Sequence, residues 1–162
     1  MRVLLTGDSH LGSLRRAQAT MLGTDGDAAQ ITINALGRGH KMRSRFFEDR
    51  GDHAEIIDVD FRKRLDRLPP AGGDYDWIGF SGPLNTARFW RSRDFQVFAP
   101  YPFKGEQVLS LNALTAAIEG DVRCILDLIE IIKRSVPVFV IDAPWPFADH
   151  PAVASIGADR VG

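Results

Sequence analysis

Two short runs, Val3-Leu4-Leu5 and the segment VPVFVID at 136–142, are apolar without alternation. A strand with one wet face alternates apolar and polar residues. A strand that is apolar at successive positions needs cover on both faces, which is the condition of a parallel sheet with helices on either side. Three more strand-like segments, AQITIN (29–34), AEIIDV (54–59) and YDWIGFS (75–81), lie between the two runs. Helical spacing separates them. Leu11, Leu14, Gln18 and Met21 fall on one stripe after the first strand. Leu111, Leu114, Ile118, Val122, Ile125, Ile129 and Ile132 form the strongest one, with Gly120 as its weak point and Lys133-Arg134 suited to its C-terminus. Strands alternating with helices predict an α/β chain built on a central parallel sheet.

The connections are equally legible. Leu22–Gly26 and Gly37–Gly39 read as turns, residues 40–49 as a short helix packing Met42 and Phe46, and LPPAGG (68–73) as a surface loop. Residues 86–107 read as a long aromatic loop and the tail APWPFADHPAVASIG as Pro-rich. A length of 162 residues suits one domain spanning 1–162. The net charge of −1 argues against a nucleic-acid or membrane-surface partner, and the basic cluster Arg43, Arg45 and Arg50, interspersed with acids, reads as a solvated face. The lone Cys124 excludes an internal disulfide and, set in an apolar helical pattern, reads as a buried inert thiol. No signal peptide or membrane-span pattern is visible, so the expected location is cytoplasmic, or the chain is part of a longer protein.

In a parallel sheet the reactive rim lies at the carboxyl ends of the strands. Gly7–His10, Asn34–Gly39 and Ser81–Asn85 share that rim. Ser9 is either a nucleophile just before a helix, where backbone N–H groups stabilise an oxyanion, or a helix N-cap. Gly39 is an oxyanion donor or a turn glycine, and Asn85 a side-chain donor or a loop cap. Asp8 reads as a structural hydrogen-bond acceptor, and His10 as a pocket-lining or surface group.

Gly7-Asp8-Ser9 on the first strand-to-helix turn resembles the opening block of the SGNH (GDSL-type) hydrolases. Asn34-Ala35-Leu36-Gly37-Arg38-Gly39 is similar to their second block, with Gly39 at the oxyanion-hole glycine and Gly37 the fallback. Gly82-Pro83-Leu84-Asn85 is similar to their third, one residue longer and with Thr86 in place of the trailing Asp. The resemblance covers most of the chain. It implies a three-layer flavodoxin-like domain and a serine ester hydrolase of the acyl- or acetyl-esterase type, acting on a small-molecule or carbohydrate ester. It implies Ser9 as nucleophile, Gly39 and Asn85 as oxyanion hole, and no cofactor or metal. The family's closing Asp-x-x-His is not present. His150, beside Asp149, is the candidate base within the chain; otherwise the dyad belongs to a C-terminal part beyond residue 162, or it has been lost and the fold is used differently.

Two other readings remain open. Asp8-x-His10 at a strand end also resembles the calcineurin-like metallophosphoesterases, which implies both residues as metal ligands. The rest of that pattern is missing, because Gly51-Asp52 and Gly73-Asp74 precede apolar strands and Gly-Asn-His does not occur. The third reading is a non-catalytic binding module, with Phe89, Trp90, Phe98, Tyr101 and Phe103 either contacting a sugar or packing the long loop.

Overall fold

The computed structural model describes residues 1–21, 29–82, 98–100 and 107–141. The chain divides into two compact units, Met1–Pro83 with Val122–Asp142, and Leu84–Asp121 with Ala143–Gly162. In chain order the elements are β1 (Arg2–Gly7), α1 (Leu11–Met21), β2 (Gln30–Ala35), a 3₁₀ turn (Gly39–Arg43), β3 (Phe47–Asp49), β4 (Ala54–Ile56), α2 (Val59–Arg62), β5 (Arg67–Leu68), β6 (Trp77–Ser81), β7 (Phe98–Pro100), β8 (Gln107–Leu109), α3 (Leu111–Ile132) and β9 (Val138–Ile141).

The first unit is centred on a four-stranded parallel sheet in the order β2-β1-β6-β9. Successive side chains leave β1 on opposite faces. Val3 and Leu5 pack with Leu11 of α1 and with Ile33, Ala35 and Ile141. Leu4 turns the other way and joins Ile78, Phe80, Phe46, Phe61, Leu128 and Ile132 in the main core. Both faces of β1 are therefore buried, as its unbroken apolar run requires. Each fully buried Leu, Ile or Phe side chain contributes about 1.5–3 kcal/mol relative to exposure. The mixed α/β character and the parallel sheet are as expected from the sequence. No helix among the described residues is long and apolar enough to cross a membrane.

Several elements depart from the expectation. AEIIDV does not enter the parallel sheet. Ala54–Ile56 form β4 of a separate antiparallel sheet, β3-β4-β5. Two local signals divert the segment. Gly51 turns the chain with φ +91°, and Arg50 N–H bonds the His53 carbonyl at 2.9 Å, closing a hairpin. Asp58 then caps α2, its carboxylate accepting from the N–H of Asp60 at 2.8 Å. Residues 40–49 split into the 3₁₀ turn and β3, although Met42 and Phe46 are buried as anticipated. The first part of LPPAGG is not surface: Leu68 and Pro69 are buried, while Ala71 and Gly72 are exposed. Within the stretch read as a long loop, Phe98–Pro100 forms β7 and pairs parallel with β8 in the second unit. On α1 only Leu11 is deeply buried, and Leu14 is exposed. On β9, Phe139 and Val140 are exposed, because this strand ends the described sheet and has a neighbour on one side only. The helix α3 runs through Gly120 without a break. The turn at 22–26 and the Pro-rich tail lie outside the described residues.

Candidate functional site

The parallel register lines up the ends of three neighbouring strands, with Gly7 opposite both Ala35 of β2 and Ser81 of β6. The ladder continues one step past the strands. Leu36 N–H bonds the Gly7 carbonyl at 2.8 Å, and Asp8 N–H bonds the Ser81 carbonyl at 3.1 Å. The segments after β1, β2 and β6 are thereby drawn to one corner, and the Asp8 carboxylate sits at its centre. Gly7 makes this approach possible: its φ is +129°, and a Cβ there would overlap the Ser81 carbonyl.

Asp8 is 1% exposed. Its Oδ1 accepts from the N–H of His10 at 3.0 Å and from the Ser81 hydroxyl at 3.4 Å. Its Oδ2 meets His10 Nδ1 at 2.7 Å. Gly82 (φ +100°) closes over it, and a side chain at that position would overlap the carboxylate. Gly39 lies on another side, where a Cβ would stand 3.2 Å from Oδ2. A carboxylate only accepts, so Nδ1 of His10 is the donor of their shared bond. That tautomer leaves the lone pair on Nε2, in a side chain that is 52% exposed.

Ser9 occupies the turn between β1 and α1 and is exposed. The Asp8 side chain, rather than Ser9, accepts from a backbone N–H at the start of the helix. Among the described residues the Ser9 hydroxyl makes no hydrogen bond, so the structure does not use it as the N-cap the sequence offered as an alternative. Neither the N–H of Ser9 nor that of Gly39 is spent on a backbone hydrogen bond between described residues. The structure thus brings Gly39 to the corner where Ser9 follows Asp8. Asn85 and His150 lie outside the described residues, as do Phe89, Trp90, Tyr101 and Phe103.

Sequence reasoning missed the Asp8–His10 contact. It sought an acid three residues ahead of a histidine, whereas here the separation is two and the turn folds the side chains together. Asp8 accepts hydrogen bonds as the sequence reading expects, and His10 is half-exposed; what Asp-x-His does not show by itself is that the two side chains bond each other rather than a metal. Here the facing atoms of the two side chains meet each other. Among the described residues no group of three or more His, Cys, Asp or Glu side chains could hold a metal.

The second loop of the corner continues into a charged neighbourhood. Lys41 donates to Asp60 at 2.6 Å, which raises the lysine pKa and lowers that of the carboxyl group. Cys124 is removed from this corner's chemistry. Its thiol donates to the Ser44 carbonyl at 3.3 Å, and burial pushes its pKa up, which keeps it protonated and unreactive.

No family model matches the chain, and neither does any curated protein or solved structure.

Proposed function

We propose that this chain is a serine ester hydrolase, or the acyltransferase that shares its chemistry, on a flavodoxin-like three-layer domain of the SGNH type. The observation that carries the reading is the Ser9 hydroxyl, exposed and without a hydrogen bond among the described residues, in the turn whose Asp8 and His10 side chains meet, with Gly39 against Asp8. A serine attacks only when a base takes its proton and donors receive the charge that develops on the carbonyl oxygen. Residues of the first unit supply both.

His10 Nε2 accepts the proton of Ser9 Oγ, directly or through one water, while Asp8 stabilises the imidazolium that forms. Oγ bonds to the ester carbonyl carbon, and the carbonyl oxygen becomes an oxyanion facing the N–H groups of Ser9 and Gly39. The tetrahedral species collapses by breaking the bond to the alcohol, which leaves with the proton from His10. Water, or a second alcohol, then attacks the acyl-serine by the same route in reverse. The substrate class is an ester of a small acyl group, such as acetate, on a carbohydrate or lipid.

The test is hydrolysis of p-nitrophenyl acetate by the whole chain. Ser9→Ala lowers kcat by about 10³-fold or more. His10→Gln lowers it by about 10²–10⁴-fold, with partial recovery on adding imidazole. His150→Ala and added chelator leave the rate within about threefold. Turnover that survives Ser9→Ala, or that chelator abolishes in parallel with Asp8→Ala, overturns the reading.

A further inference from the structure

Beside the corner, at the carboxyl end of β2, the same loop that carries Gly39 walls a cavity of about 410 Å³. Its apolar lining is Leu36 and Phe61, both buried. Its polar lining is Arg38, Lys41, Asp60 and Arg64, three cations against one carboxylate. Lys41 is committed to Asp60. Among the described residues the guanidinium groups of Arg38 and Arg64 make neither an ion pair nor a hydrogen bond. Arg38 is next in sequence to Gly39, whose backbone lies against Asp8. Arg64 is held by its own backbone, which accepts from the Asn34 side chain at 3.2 Å at the end of β2.

The geometry points to this cavity as an anion-binding subsite for the ester substrate, adjoining the reacting corner. Two uncommitted guanidinium groups over an apolar floor suit a carboxylate or phosphate, because a planar fork of N–H donors can engage two oxygens at once. The volume fits one sugar ring with its substituent. The substrate class narrows accordingly, from any small ester to an ester of an acidic sugar, carrying either a uronate carboxylate or a phosphate. This inference rests on the ester-hydrolase reading for the word substrate, but not for the binding of an anion.

The experiment has a binding arm and a turnover arm, both on the whole chain. In the first, backbone amide resonances are followed by NMR during titration with glucuronate, glucose 6-phosphate and glucose. The expected result is saturable shifts confined to residues 36–41 and 60–64 with one or both anions and not with glucose. Whichever anion binds more tightly identifies the source of the charge. The double variant Arg38→Gln, Arg64→Gln weakens that binding by about tenfold or more. Asp60→Asn, which frees Lys41, strengthens it. Opposite signs from two surface variants separate the effect from misfolding.

In the second arm, acetylated glucuronate and acetylated glucose 6-phosphate are compared with acetylated glucose. kcat/KM favours the ester of the better-bound anion over the neutral ester by about tenfold, and the arginine double variant erases that preference. Equal shifts with glucose, or anion binding indifferent to both arginines, overturns the subsite. Anion binding with no turnover of any ester supports the subsite and removes the ester-hydrolase reading instead.

Discussion

A serine that follows an aspartate at the end of a strand can cap the next helix or attack a carbonyl, and its neighbours decide which. Here Asp8 makes the backbone contact and turns back to His10, and among the described residues the hydroxyl of Ser9 has no partner. The triplet Asp-Ser-His was fully visible in the sequence. What the sequence did not disclose was that Asp8 and His10 share a face of the turn, because that depends on Gly39 and Gly82 crowding the carboxylate from two other loops. The pair is testable without altering either member. Gly82→Ala introduces a Cβ where the Asp8 carboxylate stands, at a φ that side chains rarely adopt. The expected result is a loss of about 1–3 kcal/mol of stability by chemical denaturation, together with a fall in esterase rate as the pair is displaced. Asp8→Asn retains the shape but removes the charge. It frees His10 to take the wrong tautomer and lowers kcat by about 10²–10⁴-fold with little change in KM.

Local competition decides the elements. β1 and β6 were legible from their apolar runs, β2 from its β-branched residues, and α3 from its helical stripe, whose first member Leu111 is nevertheless exposed. AEIIDV was not. Its composition suits a buried parallel strand, but a glycine turn before it and an Asp58 cap after it shorten it to three residues and fold it back as a hairpin. The hairpin is tied to the end of α3. Arg134 donates to both oxygens of Asp49, at 2.8 and 3.0 Å, and to the Gly51 carbonyl at 3.0 Å, while the Ser135 hydroxyl reaches the Asp52 carbonyl at 2.6 Å. The Arg134 guanidinium holds the Asp49 carboxyl below its ordinary value of 3.8. A carboxyl group whose pKa falls on folding stabilises the fold above its unfolded value, and that contribution disappears as pH falls through the folded value. Asp49→Asn is therefore expected to lower the urea midpoint near neutral pH. The difference from the parent chain shrinks as pH drops below about 4 and as salt is raised. Beneath the hairpin, Phe46 packs against Phe61 with ring centroids 4.5 Å apart and against Phe47 at 5.2 Å. Phe46→Ala is expected to cost about 3–5 kcal/mol by the same measurement.

At the scale of the whole molecule, the order β2-β1-β6-β9 turns three distant sequence positions into one corner. Unbroken apolar runs announced the sheet, since β1 could be satisfied only with cover on both faces. The Asp8–His10 pair was less legible because its members are two residues apart in the first turn, where only the folded chain shows that their side chains meet. The proposed chemistry stands on the Ser9 hydroxyl being the group that reacts. The most direct measurement treats the native chain with a fluorophosphonate, an electrophile that traps activated serines, and maps the adduct by peptide mass spectrometry. The predicted result is a single stoichiometric adduct on Ser9, lost on denaturation before labelling and lost in His10→Gln. An adduct on a different residue, or none under conditions where ester turnover is measurable, would contradict it.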